Sequence, residues 1–178
     1  SELTKEVEKD INRLEKITAR FSKIGSQPNL EQNNLYELIN NSIDYISYRI
    51  PKTIKINKKY LENKELFIPL NTDLFEWVIE NICKNAVDAV GEAGNITVWV
   101  QENQNTVYID ISDTGKGIPK ANQKTIFSPG YTTKNRGWGL GLSLVKRIVE
   151  QYHEGKVFVK HSEIGQGTTF RIILNKNF

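Results

Sequence analysis

The chain is poor in the residues that build covalent staples and metal cages. Its 178 residues include one cysteine, Cys83. A lone thiol excludes an internal disulfide and any cysteine-based metal site. With Ile82 and Lys84 beside it on a helical pattern, Cys83 reads as a small core residue rather than a nucleophile. Histidine is nearly as scarce, with only His153 and His161 present. His153 falls at a predicted helix end before Glu154 and Gly155, where a structural role near the helix C-terminus is expected. His161 alternates within a predicted strand and reads as structural or exposed. No apolar run approaches the roughly 18 residues of a membrane span. Ser1 opens a charged helical pattern rather than a signal peptide. The expectation is a soluble, cytoplasmic segment, compatible with a membrane anchor elsewhere in a longer protein. No charge of one sign prevails: 24 basic and 21 acidic residues give a net +3. They are interspersed, so there is no basic stripe, and nucleic acid is not an expected partner.

What is present suffices for a core. An apolar fraction of 38%, with three Trp, seven Tyr and seven Phe, fits one ordinary domain plus a small appendage. Residues 3–24 predict a long amphipathic helix. Leu3, Val7, Leu14, Ile17, Phe21 and Ile24 form its stripe, interrupted at Asp10. That stripe needs another helix, from the same subunit or a second one. Gly25, Ser26, Gln27 and Pro28 stop it and set the domain boundary, 1–28 against 29–178. A second helix is expected from Asn34 to Arg49, ended by Pro51. Short strands follow near Thr53–Asn57 and Leu66–Leu70. Asn71 or Thr72 caps the next helix, which runs to about Val90 and is ended by Gly91 and Gly94. Ile96, Val98 and Val100, then Val107, Ile109 and Ile111, alternate around a polar turn and predict a hairpin. Residues 115–136 read mostly as loop. A helix from about Gly139 to Tyr152 and strands near Lys156–Ser162 and Thr168–Leu174 complete the chain. Helices and strands mix without regular βαβ alternation. This predicts a two-layer α/β sandwich with a mixed sheet rather than a doubly wound fold.

Four clusters carry chemistry. Asn81, Asn85 and Asp88 fall at i, i+4 and i+7, on one helix stripe. The Asn85 side-chain carbonyl is a hard oxygen of the kind Mg²⁺ takes, although polar residues on a helix face are also common. Asp113 ends a strand just before Thr114, Gly115, Lys116 and Gly117. An ionised carboxylate only accepts hydrogen bonds. It suits the exocyclic amine of adenine and faces an acceptor in guanine. Gly115 and Gly117 let backbone approach a base or turn sharply, and a plain turn after a strand remains open. Gly137, Gly139 and Gly141 lead into the helix from Leu140, where exposed amides suit phosphate. Gly165, Gln166, Gly167 and Thr168 form a turn between the last strands; the Thr168 hydroxyl can reach phosphates or the adenine edge, and a plain hairpin is the alternative. The loop from Phe127 to Arg136, with Pro129 and Gly130 as hinges, suggests a lid. Its Lys134 and Arg136 can pair with phosphate or stay solvated. Three other nucleotide patterns fail. The dinucleotide fingerprint lacks its preceding strand and its third glycine, the terminal Gly-Lys-Ser/Thr of a Walker loop is missing, and no His-Arg-Asp loop exists for a protein-kinase reading of Asp113.

In this order, the clusters strongly resemble the catalytic ATP-binding domain of bacterial sensor histidine kinases, within the GHKL superfamily, over about residues 30–178. The resemblance implies a Bergerat-type sandwich, a mixed sheet of about five strands backed by three helices. It implies ATP and Mg²⁺, with Asn85 as metal ligand, Asn81 near the phosphates and Asp113 as adenine reader. The implied nucleotide contacts also include Asp88, Gly115, Gly117, Ile118, Tyr131, Thr132, Thr133, Lys134, Arg136, Gly137, Gly139, Leu140, Gly141, Leu142 and Thr168. The short lid, Tyr131 to Lys134, is similar to that of the nitrogen-regulatory sensor branch. The 3–24 helix resembles the second helix of a dimerisation hairpin. Implied partners are a phosphoacceptor helix of the same or the partner subunit, a response-regulator receiver domain and a second copy of the chain.

The sequence departs from the family pattern in two places. Many members carry a lysine where this chain has Asp88, so Lys84, Lys134 and Arg136 become the candidate phosphate cations. The family's acceptor-histidine motif is absent, so phosphoryl transfer is expected to a histidine outside this segment. Related ATP hydrolases carry a glutamate four residues before the metal asparagine; here that position is Asn81, whose amide takes no proton. Glu80 is turned from it by about 100° around the helix. Transfer to a protein side chain is therefore favoured over an ATPase clamp, a serine-directed relative or a nucleotide-binding scaffold.

Overall fold

The computed structural model describes residues 28–60, 64–133 and 139–177. The predicted 3–24 helix, and Lys134, Arg136 and Gly137, lie outside the described residues. Strand β1 (Glu31–Asn34) runs into helix α1 (Leu35–Ser47). β2 spans Ile54–Lys59, β3 Phe67–Leu70 and α2 Thr72–Val90. β4 covers Gly94–Glu102 and β5 Thr106–Asp113. Two short tight turns, Lys120–Asn122 and Thr125–Phe127, interrupt the following loop. Helix α3 begins at Gly141 and runs to Arg147, then widens over Ile148–Tyr152. β6 (Lys156–Glu163) and β7 (Gly167–Asn175) close the fold.

A five-stranded sheet, in the order β2-β4-β5-β7-β6, forms one layer. Only β2–β4 is parallel; the other neighbours are antiparallel. The sheet is therefore mixed, as expected. Among the described residues, helices α1, α2 and α3 form the second layer. Leu38, Ile39 and Ile43 of α1, Phe75, Val78 and Ile82 of α2, and Val145 and Val149 of the α3 region are buried in one core. They meet Ile96, Val98, Ile109, Ile111, Phe170 and Ile172, the alternate residues of β4, β5 and β7. Period-2 alternation in the strands and a helical stripe thus converge on one dry interface.

Cys83 is completely buried there. Burial, with the nearby Glu80 charge, pushes its thiol up to about 12, so it stays protonated and unreactive. The sheet's other face carries half-exposed Trp99 and Phe158. Between them, Arg171 forks onto Asp110 at 2.7 Å through both Nε and a terminal nitrogen.

Sequence periodicity missed one element. β1 has the polar sequence Glu-Gln-Asn-Asn and pairs antiparallel with β3, forming a separate two-stranded sheet. Nothing in its pattern signals a strand; its partner lies across α1 and β2 in the chain. Two ends also shift. Gly94 opens β4 rather than closing α2, and Gly139 and Leu140 precede α3.

Two polar joints hold the layers in place. His153 is buried at the end of the widened turn. Its Nδ1–H donates to the Ile148 carbonyl at 2.9 Å, while Nε2 accepts the Asn71 backbone N–H at 3.1 Å. Asn71 in turn caps α2, its side chain accepting from the Leu74 N–H. The imidazole thus ties the end of the α3 region to the start of α2, and burial holds it toward the neutral form. At the opposite end, Glu102 accepts from the Tyr36 hydroxyl at 2.9 Å and from Lys64 and Lys176. Burial works to raise that carboxyl, but these hydrogen bonds outweigh it and hold it at about 2.

Candidate functional site

α2 is the spine of the site. Its buried stripe turns Asn81, Asn85 and Asp88 away from the core, and all three keep solvent access. The Asn81 Nδ2 donates to the Trp77 carbonyl at 2.9 Å. Because a carbonyl accepts only, this bond fixes the amide and leaves the Asn81 Oδ1 pointing outward. That oxygen faces Gly141 at the start of α3; a Cβ on Gly141 would sit 3.0 Å from it. The first and third clusters are therefore brought together as predicted, with a hard oxygen and the first amides of a helix side by side. Asn85, one turn further along, adds a second side-chain carbonyl.

The Asp113 cluster assembles at the other end of α2. Asp113 ends β5, opposite Thr168 of β7 in the antiparallel ladder. Only 5% of Asp113 is exposed. Its Oδ1 accepts the Gly115 N–H at 2.8 Å. Burial pushes its carboxyl up, against the backbone N–H groups of Gly115 and Thr168. A carboxylate held dry at a strand end keeps an unspent acceptor for a ligand donor.

Gly115 and Gly117 have a more specific reason than access for a base. A Cβ on Gly115 would meet the Ala89 side chain at 2.7 Å, and Lys116 N–H donates to the Ala89 carbonyl at 3.0 Å. Gly117 has φ +74° and its α-carbon lies against the Glu163 carbonyl, a geometry closed to other residues. Both glycines therefore serve close packing of the loop between α2 and the β6–β7 turn. Gly165 N–H completes this clamp on the Lys116 carbonyl at 2.9 Å. Thr168 is buried beside Asp113, which places its hydroxyl at the Asp113 end of the cluster set and not at the Asn81 end.

Asn81 and Ala89 are separated by eight residues of α2, about 12 Å at the helical rise. Asn85 lies midway. Ile118, Tyr131 and Leu142 pack on the core's margin, half-buried, where apolar atoms can cover a flat ring.

The segment from Phe127 to Thr133 is anchored to the body. Phe127 is buried and packs edge-on to Phe170, with ring centroids 6.2 Å apart. Gly130 N–H then donates to the Gly139 carbonyl at 3.0 Å, joining the two ends of the loop. Gly139 has φ +65° and lies directly on the Gly130 backbone. Thr132 and Thr133 are exposed. Of the three candidate cations, Lys84 is the one within the described residues. It pairs with Glu80 at 3.6 Å, on the flank of α2.

Sequence reasoning missed Ser162. Its hydroxyl accepts the Ile118 N–H at 2.8 Å and lies 2.8 Å from the Thr168 hydroxyl. Gln123 Nε2 bridges the carbonyls of Ile118 and Ser162, at 3.1 Å each. Strict alternation from Val157 and Val159 would put Ser162 on the outer face. A bulge between Val159 and His161 inverts the alternation. His161 turns outward opposite Thr169, and Ser162 turns inward opposite Thr168. No local signal in the sequence marks that bulge.

Comparison with known proteins agrees with this geometry. Residues 71–177 match the family described as histidine kinase-, DNA gyrase B- and HSP90-like ATPase. The sensor histidine kinase ZraS of Salmonella typhi is 33% identical over 177 residues, covering 97% of this chain and 37% of that protein. The chain thus spans little more than a third of the length of this curated relative. The catalytic domain of histidine kinase ThkA superimposes with a TM-score of 0.73 at 29% identity, covering 83% of this chain and 96% of that one. A structure of ThkA in complex with the response regulator TrrA matches with a TM-score of 0.71 at 26% identity, covering 96% of this chain and 49% of that one. With its Bergerat-type sandwich and its four clusters in order, the chain belongs to the histidine kinase-, DNA gyrase B- and HSP90-like ATPase family, in the form of a sensor histidine kinase's ATP-binding catalytic domain.

Proposed function

We propose that this chain binds Mg²⁺-ATP along α2 and delivers the γ-phosphoryl group to a histidine outside residues 1–178. The observation that carries the reading is the pair of polar clusters at the two ends of the exposed stripe of α2. A buried carboxylate and hydroxyl, Asp113 and Thr168, stand at one end, and the Asn81 oxygen against Gly141 at the other. Adenine presents its amine to Asp113, and the phosphates run toward the amides that open α3. The donor set fits Mg²⁺, since Asn85 contributes a neutral hard oxygen and leaves the other positions to phosphate and water. When bound, the ion neutralises phosphate charge. Asp88, Leu140 and Leu142 border the phosphate and ribose positions. The lid, Tyr131 to Arg136 with Gly137, covers the phosphates, and Lys134 and Arg136 supply the cations.

Neither histidine of the chain suits the role of acceptor. His153 is buried with both ring nitrogens engaged, and His161 lies on the sheet's outer face. The reading therefore places the acceptor on a hairpin helix of the same or the partner subunit. Residues 1–28 act as the hairpin's second helix in a homodimer, and a response-regulator receiver domain is the next carrier. The complex of the related ThkA with a response regulator supports that last step. Hydrolysis is disfavoured because Asn81 cannot act as a base, while Glu80 is buried and paired with Lys84.

The test is trans-phosphorylation with labelled ATP, Mg²⁺ and a hairpin carrying the cognate histidine. Label on histidine is the expected result; inorganic phosphate alone would favour the hydrolase. In binding titrations, Asn85→Ala is expected to lose the Mg²⁺-dependent gain in ATP affinity, and retained dependence would remove Asn85 as the ligand.

A further inference from the structure

We propose that the outer face of the five-stranded sheet is a docking surface for an anionic lipid bilayer. The inference is independent of the nucleotide reading, which concerns the helix layer. Strand register assembles this face from residues far apart in the sequence. One row runs Lys59, Trp99, Asp110, Arg171 and Phe158 across β2, β4, β5, β7 and β6. The next row holds Gln101, Tyr108, Ile173 and Lys156. Trp99 and Phe158 are 44% and 39% exposed. Lys55, Lys59 and Lys156 are exposed on the two edge strands. Lys160, at the β6 bulge, reaches Asp110 at 2.8 Å. With Arg171 these make five cations, against two carboxylates: Asp110, and Glu163 two residues beyond outward-facing His161. That excess equals the net +3 of the whole chain. Charges interspersed along the sequence are thus sorted by the fold onto one side.

The kind of partner follows from what the cations still have to offer. Arg171 is engaged: its guanidinium forks onto Asp110 and lies 4.9 Å from the centroid of the Tyr108 ring. Its fork is not held out for a partner's carboxylate. The outward charge comes from lysines at the rim, compact point charges on long apolar stems. Lysine is depleted in protein–protein interfaces. Lysines around Trp, Tyr and Phe are instead the side chains that settle at the headgroup layer of a bilayer, where an apolar body and a polar tip are both satisfied. Single-stranded nucleic acid fits less well. It needs aromatic rings in close succession to stack its bases, and Trp99 and Phe158 stand three strand spacings apart, about 14 Å. A basic rim around an aromatic centre matches negative charge spread over a broad, soft layer.

The test is sedimentation of the 178-residue chain with vesicles of equimolar phosphatidylglycerol and phosphatidylcholine, and with vesicles of phosphatidylcholine alone. The chain is expected to pellet with the first and not the second, and to be released as salt rises. Lys59→Gln and Lys156→Gln should each lower the partition constant about fivefold, the usual effect of one lysine beside an anionic leaflet. Trp99→Ser should lower it as well. In the wild type, tryptophan emission should shift to the blue on anionic vesicles, and Trp99→Ser should lose that shift. ATP affinity is expected to be unchanged in all three, because none of them touches the exposed stripe of α2. Lys124→Gln makes the same change of charge on the loop between β5 and α3 and should leave partitioning nearly unchanged. Failure to bind the anionic vesicles at low salt overturns the proposal. So does binding that survives the sheet substitutions, which belongs to another part of the chain. An equal loss in Lys124→Gln also overturns it, by reducing the effect to net charge. Binding to soluble polyglutamate that depends on Lys59, Lys156 and Trp99, with no emission shift on vesicles, assigns the face to an acidic protein and overturns the lipid reading.

Discussion

Replacing Asp113 by Asn should move stability and binding in opposite directions. The native carboxylate is 5% exposed and accepts the Gly115 N–H at 2.8 Å. Burial raises its pKa above the unfolded value. By linkage, a group with a raised folded-state pKa contributes stability that is complete below the unfolded pKa and is lost as pH rises through the folded one. As pH rises above the unfolded value the wild type therefore takes on a growing penalty for a dry charge. Asparagine does not titrate and escapes it. The stability of Asp113→Asn relative to wild type should accordingly rise between pH 4 and pH 7, read as melting temperature across that range in the absence of nucleotide.

Binding should go the other way. The amide presents an oxygen or an NH₂, and one geometry cannot serve both the Gly115 N–H and the adenine amine as well as two carboxylate oxygens do. Leaving one buried partner unmatched costs about 1–3 kcal/mol, which is about 5- to 150-fold in ATP affinity. The assay is calorimetry with ATP and Mg²⁺. Unchanged affinity would refute the placement of adenine. A relative stability that falls with pH would refute the argument from burial. The pairing of a destabilising residue with tight binding is the trade-off expected where a site, not the fold, chose the side chain.

Three further substitutions probe the joints and the site. Glu102→Gln should destabilise the fold by about 2–3 kcal/mol at neutral pH, since a carboxyl held at about 2 instead of 4.5 is worth about 3 kcal/mol. The deficit is complete above pH 4.5 and should shrink as pH falls toward 2; a constant deficit in chemical denaturation at pH 7 and pH 3 would count against the latch. His153→Gln should flatten the acid limb of stability. Burial depresses the His153 pKa, so its contribution is complete above about pH 6.5 and is lost as pH falls; melting curves at pH 7.5 and 5.5 would show a larger drop in wild type than in the variant. Gly141→Ala should favour α3 by up to about 1 kcal/mol through helix propensity, yet weaken ATP binding, because the new methyl would stand 3.0 Å from the Asn81 oxygen. Equal ATP affinity by titration would separate that contact from the phosphate end.

The sequence made the local parts of this molecule readable. The α2 stripe, the Asn71 cap, the β4–β5 hairpin and the position of Asp113 at a strand end all follow from neighbours a few residues apart. So does the asparagine pair one turn apart, which needs only helical geometry. What it concealed was settled across long chain separations. β1 is a strand only because β3 lies beside it. His153 looks like an ordinary helix end until Asn71, far earlier in the chain, donates to it. Ser162 belongs to the site only because a bulge reverses the facing of β6. The glycines near Asp113 suggest a base approach or a sharp turn in the sequence, and what crowds them is the protein's own backbone at Ala89 and Glu163.

The clasp between Gly130 and Gly139 joins two points of the chain that lie nine residues apart in sequence. Its two anchor points are stitched to each other, so the scaffold does not register how much chain hangs between them. In a flexible loop each doubling of length adds only about 0.6 kcal/mol of closure entropy. Descendants of this fold can therefore swap short flaps for long ones, and retune how nucleotide is held or released, with the strands and helices beneath left as they are.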